Sequence, residues 1–74
     1  MRERLKPAIE YVHKGRMVVE VDVTLIETDS EWSPYLSAGD VRKVEAASQA
    51  LRRGDLAAAS KLGRVYEMMP VAAE

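Results

Sequence analysis

The chain has 74 residues, of which 47% are hydrophobic, and 11 basic against 12 acidic side chains give it a net charge of −1. This length predicts one small domain over residues 1–74, and the balanced charge excludes a global field that would attract nucleic acid. The chain contains no cysteine, which excludes disulfides, thiol chemistry and the usual structural zinc sites. No apolar run has the length of a membrane span or the pattern of a secretory leader, so we expect a cytoplasmic protein with no membrane partner.

The first segment predicts a short amphipathic helix. Its apolar residues recur at steps of three and four positions, at Leu5, Ala8, Ile9 and Val12. Pro7 fits only the first turn of a helix, so the helix is expected to begin near residues 4–6 and to end at Lys14, with Gly15 as a left-handed cap. His13 is the only histidine, and without a second histidine or a cysteine it does not predict a metal site.

Residues 17–37 contain the clearest strand pattern. Valines at 19, 21 and 23 alternate with Glu20, Asp22 and Thr24, which predicts a strand with one apolar and one mostly polar face. Short polar residues at 28–31 predict a turn. Residues 32–37 then predict a return strand or an extended arm, so that the central region resembles a β-hairpin.

Two helices are predicted in the second half of the chain. Either Ser37, in a capping-box arrangement with Asp40, or Asp40 itself begins the first helix, and Gly54 ends it. Asp55 is the N-cap candidate of the second helix. Residues 64–69 fit either a continued helix or a short strand, and we favour helix to about Val65. The two helices would form a C-terminal αα-hairpin.

The predicted fold is therefore α+β, with an N-terminal helix, a β-hairpin-like strand and return arm, and a C-terminal αα-hairpin that covers the sheet. A two-stranded sheet is marginal by itself, so we expect it to pair with another copy of the chain or with another protein. The prediction for the assembly is a homo-oligomer.

No catalytic motif is present. Glu20 and Asp22 lie two apart on the polar face of a strand, a spacing that favours a solvated face over acid–base chemistry. The chain has no Gly-rich phosphate loop, no nucleophile elbow and no calcium-binding loop pattern. The sequence predicts a protein that is not an enzyme and that uses no cofactor or metal.

The charge pattern and the aromatic residues indicate a candidate binding surface. Residues 17–39 contain five acidic and no basic side chains, whereas residues 1–16 carry five basic and two acidic ones. Trp32 and Tyr35 follow the acidic turn, and they either fill the core or anchor an interface, since both residue types dominate binding hot spots. The predicted partner-binding residues are Glu27, Asp29, Glu31, Trp32 and Tyr35, and the predicted partner is a basic protein.

Residues 18–51 resemble one known family. Their order of strand, acidic turn, arm with Trp32, Pro34 and Tyr35, Gly39-Asp40 pair and helix is similar to the core of the HicB-type antitoxins of bacterial toxin–antitoxin systems. The resemblance covers under half of the chain and includes no added DNA-binding segment. It implies a small antitoxin that binds and masks a basic toxin. The alternatives are a regulator that binds nucleic acid through its basic leader and helical hairpin, and a purely structural dimeric subunit.

Overall fold

The computed structural model describes residues 3–29 and 33–72, so the predicted site residues Glu31 and Trp32 lie outside the described part of the chain. The elements in chain order are β1 (Glu3–Lys14), β2 (Met17–Thr28), β3 (Tyr35–Leu36), α1 (Ala38–Arg53), α2 (Leu56–Leu62) and β4 (Arg64–Glu67). All strand pairs are antiparallel. The class α+β is therefore confirmed, but the predicted arrangement within that class is wrong in three places.

The first correction concerns the N-terminus, where a strand replaces the predicted helix. β1 pairs with β2 over its entire length, from Glu3 opposite Thr28 to Lys14 opposite Met17. Gly15 has φ +59° and is the first residue of the two-residue turn between the strands, while no described non-glycine residue has positive φ. This is the pattern of a type II′ hairpin turn, which matches the right-handed twist of the strands. The same glycine would also fit a helix cap, so its presence did not distinguish the two structures.

The helical spacing in β1 was misleading because its apolar residues belong to opposite faces of a strand. Ala8 and Val12 pack against the core, whereas Leu5 and Ile9 point to the other side and remain exposed. Pro7 is compatible with the strand because β1 is at the edge of the sheet, where a missing backbone N–H need not break a ladder. Pairing with β2 therefore overrides a local pattern that favoured a helix.

The second correction concerns the return arm. Among residues 33–37, the described part of the predicted arm, Tyr35 and Leu36 pair with β2 opposite Ile26 and Leu25, so the return strand is confirmed at these two residues. The main hairpin, however, is formed by β1 and β2. β4 pairs with the other end of the same β2 edge. Between these two short strands, the Asp40 carboxylate accepts a hydrogen bond from the backbone N–H of Thr24 at 2.8 Å. This side chain therefore occupies part of the gap that the short strands leave along the edge.

The third correction concerns the C-terminal region. α1 begins and ends as the caps predict, because the Ser37 hydroxyl accepts a hydrogen bond from the N–H of Asp40, and Gly54 takes φ +72° after the last turn. Asp55 likewise caps α2. However, α2 has only seven residues, and the chain then returns to the sheet as β4. The predicted C-terminal αα-hairpin is wrong because β4 follows the second helix, and the helix favoured to about Val65 is wrong because Arg64 and Val65 belong to β4.

The helices cover one face of the sheet. The buried residues form a single cluster that joins the β2 valines to the small residues of the helices: Val19, Val21, Val23, Ala47, Ala50, Leu51 and Ala59. The Cα atoms extend over 50 × 34 × 15 Å, and the short dimension leaves room for one helical layer on one sheet. No helix in the described ranges is long and apolar enough to cross a membrane.

Candidate functional site

The second face of the sheet is the candidate site, and we call it the open face. Side chains alternate along a strand and paired residues share a face, so the residues of this face follow from the register. No described element packs over it. Its main members are Leu5, Pro7, Ile9, Tyr11 and His13 of β1, Val18, Glu20, Asp22, Thr24 and Ile26 of β2, Tyr35 of β3, and Arg64 and Tyr66 of β4.

The open face carries large apolar and aromatic groups. Leu5 is 68% exposed and Tyr11 60%, and Ile9, Tyr35 and Tyr66 are each more than two-fifths exposed. All three tyrosines of the chain lie on this face. The core-facing positions of the same strands hold smaller groups such as Val19, Val21 and Ala8. The largest side chains of the sheet are therefore on its uncovered side.

A polar cluster occupies the half of the open face that is nearer the hairpin turn. Arg64 donates from Nε to Glu20 Oε1 at 2.8 Å, and from its two terminal nitrogens to both oxygens of Asp22 at 3.0 Å each. The strand register brings these groups together, since Glu20 is opposite Arg64 on one side and opposite Tyr11 on the other. A bidentate arginine–carboxylate pair is geometrically specific as well as charged.

The ionisation of this cluster reflects its hydrogen bonds. The guanidinium of Arg64 is the main cause of a lowered pKa of Glu20, and hydrogen bonds from Tyr66 and Tyr11 lower that pKa further. Arg64 likewise lowers the pKa of Asp22, and the pKa of Arg64 is raised by Asp22 and then by Glu20. All three groups therefore stay charged at neutral pH, and none is poised to exchange a proton there.

An apolar row occupies the other half of the open face. Leu5, Ile26 and Tyr35 come from three adjacent strands and lie side by side, because Ile26 is opposite both of the others. Pro7 follows Leu5 on the same face. This row is at the end of the sheet that is farther from the turn at Gly15, the end at which β2 finishes at Thr28.

The predicted partner-binding residues are divided between several environments. Tyr35 is part of the apolar row and is 45% exposed. Asp29 Oδ1 lies 3.1 Å from Arg4 Nη1, and Glu27 Oε1 lies 3.6 Å from Arg4 Nε. Glu31 and Trp32 are outside the described residues, so their predicted roles stay predictions. Each described acidic side chain of residues 17–39 thus has an arginine within ion-pair distance: Glu20, Asp22, Glu27 and Asp29.

Sequence reasoning missed Tyr11, Arg64 and Tyr66. These residues are far apart in the chain and come together only through the pairing of β2 with β1 and β4. One local signal was available, because a β-branched and an aromatic residue, Val65 and Tyr66, follow shortly after Gly63. Such residues after a helix-weakening glycine are typical of a short strand.

The carboxylates of the open face are engaged by an arginine. Within residues 3–29 and 33–72, no three His, Cys, Asp or Glu side chains are close enough to hold a metal ion. Glu20 and Asp22 are on the same face but already bind Arg64. Comparison with protein-family models, curated proteins and solved structures gives no match. The functional argument therefore rests on the residues of the sheet.

Proposed function

We propose that this protein is a protein-interaction module whose binding surface is the open face. The observation that carries the proposal is the set of five large apolar or aromatic side chains that the two-layer fold leaves exposed on one flat surface: Leu5, Ile9, Tyr11, Tyr35 and Tyr66. Monomeric soluble proteins seldom expose contiguous apolar patches above a few hundred Å² without a binding role.

The size and composition of the surface support a protein partner. Twelve-residue strands extend about 40 Å and three adjacent strands about 15 Å, which gives roughly 600 Å². Tyrosine is enriched at interface centres because its ring contributes a large contact area and its hydroxyl still finds a hydrogen bond. Every charged group of the Arg64 cluster would enter such an interface with a hydrogen-bond partner, and its two carboxylates and one guanidinium leave the cluster a net charge of −1.

A more specific hypothesis is an antitoxin-like protein that masks a basic partner. Its support is the acidic segment of β2 and the turn, together with Tyr35, where the predicted site and the open face coincide. Arg4 lies within ion-pair distance of Glu27 and Asp29, and this pairing weakens the attraction that a basic partner would feel. The hypothesis therefore depends more on Trp32 and Tyr35 as anchors than on net charge.

The nucleic-acid alternative has less support. Binding to phosphates requires free Lys and Arg side chains, but Arg4 and Arg64 are engaged by carboxylates. Lys14, from the predicted basic leader, donates to the backbone carbonyl of Arg52 at 3.1 Å. The open face itself presents carboxylates and tyrosines in place of a basic stripe.

The test compares two glutamate substitutions at apolar positions of nearly equal exposure. Ile9 is on the open face and is 43% exposed, whereas Leu56 is on α2, in the other layer, and is 42% exposed. Tagged wild-type protein, Ile9→Glu and Leu56→Glu are used to capture proteins from cells of the native host, and every retained protein, including untagged copies of this chain, is quantified by mass spectrometry. Each captured protein is then purified and its affinity measured by surface plasmon resonance.

We expect wild type and Leu56→Glu to retain the same protein, and Ile9→Glu to lose at least tenfold in affinity. A buried charge at an interface centre costs enough free energy to account for this loss. Circular dichroism of each variant must match that of wild type, so that a damaged fold is not mistaken for a damaged surface. Equal binding by Ile9→Glu and wild type would contradict the proposal, and so would the absence of any retained protein.

A further inference from the structure

We infer that the occupant of the open face is a second copy of this chain, packed sheet against sheet. The inference rests on the proposed function and names the partner of the same surface. Three observations carry it: the proline on the sheet edge, the arrangement of residues on the two sides of β2, and the area available.

The edge of β1 is a poor site for a second copy. In a two-residue hairpin the closing pair, Lys14 and Met17, is hydrogen-bonded, and bonded and non-bonded pairs then alternate along the strands. The backbone groups of Pro7, which is opposite Thr24, consequently face outward from the sheet. Proline has no N–H to donate, so it interrupts the outer edge of β1 at its centre. Pro7 therefore hinders the pairing of a second copy along the β1 edge, but it does not hinder packing on the open face.

About a two-fold axis along β2, the outer strands of the open face are complementary to each other, while Glu20 and Asp22 of β2 lie opposite their own copies. Such an axis places β1 of one copy over β3 and β4 of the other. Leu5 of one copy then faces Tyr35 of the other, because both are in the row of Ile26. Tyr11 faces Arg64 across the same axis, because both are in the row of Glu20. An aliphatic–aromatic contact and a cation–π contact would thus each form twice.

The area is sufficient for a stable dimer. With roughly 600 Å² from each copy, packing two sheets about 10 Å apart would bury about 1,200 Å² in total. This value is at the lower end of the range of specific interfaces. The resulting four layers would be helices, sheet, sheet and helices.

The first measurement is the mass in solution, by size-exclusion chromatography with light scattering at micromolar protein concentration. One chain has a mass of 8.2 kDa. Wild type and Leu56→Glu should have the mass of a dimer, whereas Ile9→Glu should have the mass of a monomer and an unchanged circular dichroism spectrum. A monomeric wild type, or a dimer that persists in Ile9→Glu, would overturn the inference. A monomeric wild type that captures a different protein through Ile9 would leave the proposed function intact.

The second measurement locates the contact. Because the chain has no cysteine, Thr24→Cys introduces one thiol on β2, beside the expected axis. A short bismaleimide should link two such copies efficiently, and Leu56→Cys, on the helical layer, should remain unlinked. In an edge-paired dimer the two Thr24 positions would be three strand spacings apart, about 14 Å. A dimer that is not linked through Thr24→Cys would therefore exclude the sheet-on-sheet arrangement.

Discussion

Gly63 provides a sharp test of how β4 joins the sheet. Its φ of −174° is extended backbone that any residue adopts, so the requirement for glycine is steric. A Cβ atom at this position would collide with the backbone carbonyl of Glu20, whose carbon would be 2.9 Å away, and would lie 3.0 Å from Val19 Cγ1. Both neighbours belong to β2: one is its backbone and the other is the fully buried Val19 side chain, so neither can move away freely.

Gly63→Ala should therefore destabilise the domain by about 2 kcal/mol, within the usual range for overpacking in a core. For a domain of this size, such a loss lowers the melting temperature by about 8–16 °C. The matched control is Gly39→Ala in the first turn of α1, where the nearest neighbour of a Cβ would be the Ser37 hydroxyl oxygen at an ordinary 3.9 Å. That change should stabilise the protein by about 0.5–1 kcal/mol, because alanine loses less backbone entropy than glycine in a helix.

The assay is thermal unfolding followed by circular dichroism, at one protein concentration for all variants because association would shift each melting temperature. Urea unfolding supplies the free energies independently. If Gly63→Ala melts at or above the temperature of wild type while Gly39→Ala behaves as expected, β4 does not approach Glu20 closely. The register of β4, and with it the Arg64 cluster, would then be incorrect.

Three other substitutions test the remaining contacts. Asp40→Ala should lower the free energy of unfolding by about 1.5–3 kcal/mol, because it leaves the Thr24 N–H without its charged acceptor. Asp40→Asn should lower it less in urea unfolding, and equal losses for the two variants would contradict the hydrogen bond. Arg64→Gln should lower the melting temperature at neutral pH. The pKa values of its partners Glu20 and Asp22 are lowered in the folded protein. The ion pairs therefore stabilise the fold above the usual carboxyl pKa values of 4.5 and 3.8, and this stabilisation is lost as the pH falls through the lowered pKa values of the folded state. The melting temperatures of variant and wild type should thus converge in acid, and a difference that is constant with pH would argue against the pairs. Val21→Asp should abolish the cooperative transition, since Val21 is fully buried; a native-like melt would mean that the faces of β2 are reversed.

The features that the sequence predicted correctly are those with local causes. The alternation of β2 places Val19, Val21 and Val23 inward because one strand determines its own faces. The boundaries of α1 follow from a hydroxyl cap at Ser37 and a left-handed Gly54, and both depend on residues within one helical turn. Neither prediction required knowledge of distant parts of the chain.

The features that the sequence could not predict depend on distant pairing. β1 is a strand because β2 is beside it, although Leu5 and Ile9 are spaced as in a helix with Ala8 and Val12. β4 is only four residues long, and it forms opposite residues 17–20. The candidate site depends on this distant pairing, since its tyrosines come from β1, β3 and β4. Its composition was visible in the sequence, but its assembly required the register.

The distribution of side chains between the two faces explains why the fold leaves apolar and aromatic side chains uncovered. The buried cluster consists only of valine, alanine and leucine, so it brings the helices close to the sheet and makes a thin core. The chain has no phenylalanine, and each of its tyrosines lies on the open face. A domain of this size has a small free energy of unfolding. Covering the rings of Tyr11, Tyr35 and Tyr66 would remove several hundred Å² of apolar surface from water, which would stabilise the covered state by several kcal/mol at about 25 cal/mol per Å². The apolar area that the core lacks is thus displayed on the opposite side, where, under the proposed function, a second protein surface buries it.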